Sequence, residues 1–182
     1  QLTGALGFYS IFLFDSFINE RQNRFIMPID VCNPFLKALS GGSTFGETRK
    51  LADLLVIDLY PNTICMTPIE IKFYGTNSAN SMAGSLPDPG SRALEGAVEQ
   101  ATSSMKLLRE IQKNWEVTKT SLTSGASHIL KANALATFIE SAMRISPSSV
   151  DTDSAYKTLS SIVDGSVKIC LGKPLIAYFE AT

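Results

Sequence analysis

The stretch Leu51–Gly75, LADLLVIDLYPNTICMTPIEIKFYG, constrains the fold of this chain more than any other. Leu54 to Leu59 is an apolar run with β-branched members, and Ile64 to Tyr74 is a second one. The short YPN segment between them is a turn signal, so the two runs read as adjacent antiparallel strands. Charges inside such runs are costly unless they are paired, solvated or bound to a metal. Yet the pair carries Asp53, Asp58, Glu70 and Lys72. Side chains alternate faces along a strand, so Glu70 and Lys72 point the same way, and Ile69, Ile71 and Phe73 point the other. Asp53 and Asp58 are in odd register, so only one of them shares the Glu70/Lys72 face.

Around this hairpin the chain alternates between helical and extended patterns. Residues 3–20 are apolar on most faces, as expected of a buried core helix; Asp15 and Asn19 interrupt the run before it could span a membrane. In RFIMPIDVCNPFLKAL, Pro28 and Pro34 predict an extended piece and then a short helix from about Asn33 to Leu39. Residues 75–91 hold nothing to anchor a core and read as a long loop, functional or mobile. Apolar residues then recur at Leu94, Val98, Ala101, Met105, Leu108, Ile111 and Trp115, the spacing of an amphipathic helix of about six turns. HILKANALATFIESAMRI predicts another helix, followed by a short one with Asp153 or Ser154 as N-cap and Gly165 past its end. VKICLG and PLIAYFEA close the chain as one or two strands. The expectation is one α/β domain over residues 1–182. The absence of a starting Met and the stop after YFEAT read as a domain excised from a longer protein.

Composition narrows the function classes. Apolar residues make up 45% of the 182 and charged residues 18%, which suits a folded domain. The net charge of -1 offers no basic excess for autonomous binding to nucleic acid, so a nucleic-acid partner would need a local positive face or metal ions. Cys32, Cys65 and Cys170 are odd in number and far apart in sequence. They read as small buried hydrophobes of a reducing compartment, hence a cytoplasmic protein. The single histidine, His128, leaves a Cys/His zinc site without ligands and reads as a residue near a helix N-terminus.

The chemistry therefore rests on carboxylates. Two of them from neighbouring strands suit a hard divalent cation bound through oxygen, Mg²⁺ or Mn²⁺. Such a cation polarises a phosphoryl oxygen and promotes ionisation of water, and a lysine beside it stabilises developing charge. Three plainer possibilities stand beside this one. Asp53 could be a turn residue or helix cap, Glu70 and Lys72 an exposed ion pair, and Asp58 a turn acid.

Asp53, sixteen residues, then Glu70-Ile71-Lys72 resembles the PD-(D/E)xK nuclease superfamily. The resemblance covers roughly residues 3–116, with the final strands as a closing edge. It implies a restriction-endonuclease-like core in the order α-β-β-β-α-β, with a mixed central sheet flanked by helices. It further implies metal-dependent hydrolysis of DNA phosphodiesters, with Asp53 and Glu70 as metal ligands and Lys72 assisting the water. The helix segment EGAVEQATSSMKLL resembles that of RecB-type members, which makes Gln100 the matching site glutamine. The tyrosine those members carry four residues later is replaced by Ser104. A glutamate from the first helix is often added, and Glu20 is the best placed here. More narrowly, MPID…TRKLADLLVIDL…PIEIKFYG…ALEGAVEQ is similar to nuclease domains attached to DNA translocase ATPases in bacterial defence, including phosphorothioate-linked restriction. That implies DNA and an ATPase or translocase as partners and no membrane, and a homodimer would supply the two sites that double-strand cutting needs. The same fold with a silent site would instead dock protein or DNA. An unrelated phosphatase or small-molecule hydrolase is the remaining alternative.

Overall fold

The computed structural model describes residues 23–41, 50–74, 92–120, 125–145 and 151–180. The expected first helix with Glu20 and the 75–91 loop lie outside the described residues. Strand β1 (Arg24–Pro28) leads directly into helix α1 (Ile29–Leu39). Strands β2 (Leu54–Tyr60) and β3 (Thr63–Tyr74) follow, then the long helix α2 (Arg92–Thr120). Helices α3 (Gly125–Ile145) and α4 (Thr152–Val163) precede strands β4 (Lys168–Leu171) and β5 (Leu175–Glu180). Among the described residues this is an α/β fold with a mixed five-stranded sheet.

The hairpin forms as its alternation requires. Pro61 and Asn62 make a two-residue turn, with Asn62 at φ 58°, and β2 pairs with β3 in the register Leu54↔Ile69 through Tyr60↔Thr63. Strand β1 adds antiparallel to β2, and β4 and β5 both lie parallel to β3, one beside each half of its length. The final strands thus make a single interrupted edge.

The break in that edge is set by a close approach. Gly172 donates its N–H to the Met66 carbonyl at 2.9 Å, and a Cβ there would stand 1.9 Å from Thr67 Oγ1. No rotamer of a neighbouring flexible chain relieves the 3.0 Å approach to Thr67 Cβ. Gly172→Ala is therefore expected to lower stability by about 1–3 kcal/mol, the usual cost of overpacking. Urea unfolding checks it, and Thr67→Ala in the same chain, which removes Oγ1 and Cγ2 but keeps Cβ, is expected to recover part of the loss.

The sheet has two unlike faces. Phe25, Met27, Leu55, Ile57, Leu59, Ile64 and Met66 form the first, packed with residues of all four described helices, among them Leu36, Leu108, Trp115, Phe138 and Ile162. Ile26, Leu54, Val56 and Ile69 form a separate cluster on the second, flanked by Ile71, Ala177 and Phe179. Alternation along β3 therefore makes the helix-covered face read Ile64, Met66, Pro68, Glu70, Lys72. It is apolar under the core and charged beyond it.

Several expectations need correction. Pro34 does not start a new helix; it lies inside α1, which runs unbroken from Ile29 because Cys32, Leu36 and Leu39 are buried along one face. The extended piece before it is a full sheet strand. Asp151, not Asp153 or Ser154, occupies the N-cap position of α4. Val98 is 48% exposed and falls off the apolar stripe of α2, whereas Ala101, Met105, Leu108, Ile111 and Trp115 are buried as expected. Cys65 and Cys170 are not isolated hydrophobes. The β3–β4 register sets them opposite each other, Cα atoms 4.5 Å apart, and they form a disulfide. Cys32 alone behaves as read: it is buried and free, and burial pushes its thiol up to about 12. The reducing compartment inferred from three unpaired cysteines thus loses its basis. Among the described residues no helix is long and apolar enough to cross a membrane.

Candidate functional site

Where β2 begins, three consecutive residues are held from two sides. The Ile29 N–H, at the start of α1, donates to the Asp53 carbonyl at 2.9 Å. On α2, Ser104 Oγ accepts the Ala52 N–H at 2.8 Å and donates to the Gln100 carbonyl at 3.0 Å, and Gln100 Nε2 reaches the Leu51 carbonyl at 3.4 Å. Backbone donors and acceptors away from water must find partners, and here they find them on helices rather than on strands. The result is a fixed entry into β2, with Asp53 at its lip.

Asp53 then crosses to the neighbouring strand. Its Oδ2 accepts the Ile71 N–H at 2.8 Å. Extending the β2–β3 register by one residue beyond Leu54↔Ile69 sets Asp53 opposite Glu70, and opposite residues of an antiparallel pair share a face. Asp53 is exposed; Glu70 is completely buried. Asp58 belongs elsewhere. It lies on the other face, four residues up β2 from Leu54, where Arg24 of β1 grips it with Nε at 2.5 Å and Nη2 at 2.9 Å. It is therefore a strand-pair anchor rather than the turn acid expected.

Lys72 completes the cluster. Its Nζ lies 2.5 Å from Glu70 Oε1 and donates to Gln100 Oε1 at 3.1 Å. The lysine side chain is 27% exposed and the glutamate 1%, so the ion pair runs from the interior towards solvent. The Lys72 ammonium and the Asp53 backbone N–H are the donors that face the Glu70 carboxylate, neither of them in ideal hydrogen-bond alignment. Burial pushes the Glu70 carboxyl above its ordinary value; the Lys72 ammonium pulls it down, and the Asp53 charge pushes it up again.

Of the residues expected at a site, Asp53, Glu70, Lys72 and Gln100 thus come together, and Glu20 lies outside the described residues. The exposed-pair alternative fails for Glu70, which is buried. Ser104, which stands in place of the tyrosine of the resembled helix, supports the segment that leads into Asp53. Tyr178 was missed altogether: the β3–β5 register places Ile176 beside Glu70 and Tyr178 beside Lys72, on the same face. Only that long-range register could have revealed it.

The donor set bears directly on a divalent cation. Among the described residues no group of three or more His, Cys, Asp or Glu gathers in metal-binding range. Two carboxylates are enough for Mg²⁺, which keeps several waters and commonly takes one or two protein carboxylates plus substrate phosphate. Asp53, exposed at the lip, and Glu70, opposite it, are the carboxylates that could hold such an ion.

Comparison with protein-family models, curated proteins and solved structures returns no match. The site itself is what points to a function.

Proposed function

We propose that the chain is a metal-dependent nuclease that hydrolyses DNA phosphodiester bonds, with the restriction-endonuclease-like core of the PD-(D/E)xK superfamily. One observation carries this: a fully buried carboxylate, Glu70, is set opposite Asp53 and against Lys72, which is in turn hydrogen-bonded to Gln100. A carboxylate buried this completely carries a desolvation cost that an exposed surface ion pair does not. Further support comes from topology. The described elements share with that resemblance three antiparallel strands before a long helix and a closing edge parallel to β3; they depart from it in α1, which stands between β1 and β2, and in α3 and α4, which precede the closing strands.

Asp53 and Glu70 would hold Mg²⁺ or Mn²⁺. When bound, the ion supplies Lewis-acid polarisation of a phosphoryl oxygen and lowers the pKa of water. The chain's own groups do the rest. The Lys72 ammonium, hydrogen-bonded to Gln100, offers positive charge where a phosphoryl group gains negative charge. Gln100 also fixes Leu51, so a single side chain ties the position of the lysine to the segment bearing Asp53. A net charge of -1 leaves the hold on DNA to further domains or subunits, an ATPase or translocase among them, in a bacterial defence or repair complex.

Incubating the purified chain with supercoiled plasmid tests this. Nicking or linearisation is expected with Mg²⁺ or Mn²⁺, and none after chelation or with Lys72→Ala. If the wild type leaves plasmid intact and calorimetry detects no metal binding, the fold serves as a docking module instead. Turnover of a phosphomonoester with no cleavage of plasmid would point to a phosphatase.

A further inference from the structure

Resting on the proposed metal site, we propose that Lys72 is its placeholder cation: the ammonium sits on Glu70 in the metal-free chain and is released to Gln100 when the carboxylate takes up a divalent cation. A carboxylate buried as completely as Glu70 requires a countercharge, and Lys72 Nζ at 2.5 Å supplies it. The contact neutralises the carboxylate, so a cation that takes its place against Glu70 displaces the ammonium. Lysine suits such an exchange because its compact charge rides on a flexible stem, here 27% exposed and with a way out. Gln100 Oε1, at 3.1 Å, offers an uncharged second anchor, and that glutamine is itself tied to Leu51.

The charges point the same way. Asp53, Glu70 and Lys72 sum to minus one, so a divalent cation entering with the ammonium still in place would meet like charge at short range. Exchange removes that repulsion and leaves Lys72 beside the site rather than in it. Metal loading and release of the lysine then become one event.

Mn²⁺ titration of the metal-free chain by calorimetry tests this on three proteins: wild type, Lys72→Met and Lys72→Arg. Lys72→Met removes the competitor and is expected to bind about tenfold more tightly. Lys72→Arg keeps the charge but grips a carboxylate with a planar fork, so it is expected to bind several-fold more weakly. Circular dichroism checks that each is folded, and the arginine variant, which keeps the partner of Glu70, decides the matter if the methionine one does not fold. Equal or weaker binding by Lys72→Met overturns the proposal. So does unchanged binding by Lys72→Arg, since a lysine acting only through space would not distinguish the two cations. Both outcomes leave the metal site standing. Failure of both the wild type and Lys72→Met to bind Mn²⁺ removes the site itself, and the placeholder with it.

Discussion

Glu70→Gln is expected to abolish plasmid cleavage, by about a thousandfold or more, while leaving the metal-free protein at least as stable as the wild type near neutral pH. The two halves of that expectation have one cause. The Glu70 carboxyl is held above its free value of 4.5 chiefly by burial. A carboxyl raised on folding contributes stability that is complete below about pH 4.5 and is lost as pH rises through its folded value. Near neutrality the ionised group is therefore a net cost, tolerated for what it does rather than for what it holds together. Glutamine has nearly the same shape and no charge. It leaves Lys72 without its carboxylate, but that ammonium is partly solvated and keeps Gln100. Urea unfolding between pH 4 and pH 7 is expected to show the wild type losing stability with rising pH, and the variant losing less. If Glu70→Gln cuts plasmid as well as the wild type does, the reaction takes place somewhere else. If it is inactive but destabilised at every pH, Glu70 is a structural ion-pair member.

The centre of the site was legible because strand chemistry is local. Period-two alternation put Glu70 and Lys72 on one face, and a two-residue turn fixed the register that brings Asp53 opposite Glu70. The buried stripe of α2 followed from its spacing for the same reason. What was not legible depends on distant pairing. Cys65 and Cys170 are 105 residues apart, and nothing in their flanking residues announces the β3–β4 register that joins them. Tyr178 reaches the site only through the β3–β5 register. Pro34 misled in a different way. Its missing N–H argues for a break, but burial of Cys32, Leu36 and Leu39 outweighs one lost helical hydrogen bond. Ser104 illustrates a substitution whose meaning is positional. The position where the resembled helix carries a tyrosine holds a hydroxyl that accepts the Ala52 N–H, so this helix holds the backbone that leads into Asp53.

Trp115→Ala is expected to cost about 3–5 kcal/mol, the loss that follows from truncating a large side chain inside a packed core. Trp115 is 1% exposed near the end of α2, its ring centroid 5.5 Å from that of His128 on α3. Its Nε1 donates to the Val167 carbonyl at 2.9 Å, one residue before β4, and Gln112 on the same helix donates to the Ile169 carbonyl at 2.7 Å. The C-terminal half of α2 thus anchors the returning chain as it enters the sheet. From there β4 leads through Gly172 to β5, which flanks β3 from Ile69 to Tyr74, the stretch bearing Glu70 and Lys72. Truncation leaves a cavity beneath the helix layer and removes the indole donor to the Val167 carbonyl at the head of that edge. Trp115→Phe separates the two losses. It keeps most of the ring and removes only the donor, so about 1–2 kcal/mol is expected from it. Because the lost anchor lies upstream of the strand beside the site, hydrogen exchange is expected to quicken along β4 and β5 in Trp115→Ala and to change little in β1. Equal quickening in all strands would show that the indole supports the core as a whole and that the edge has no special dependence on it.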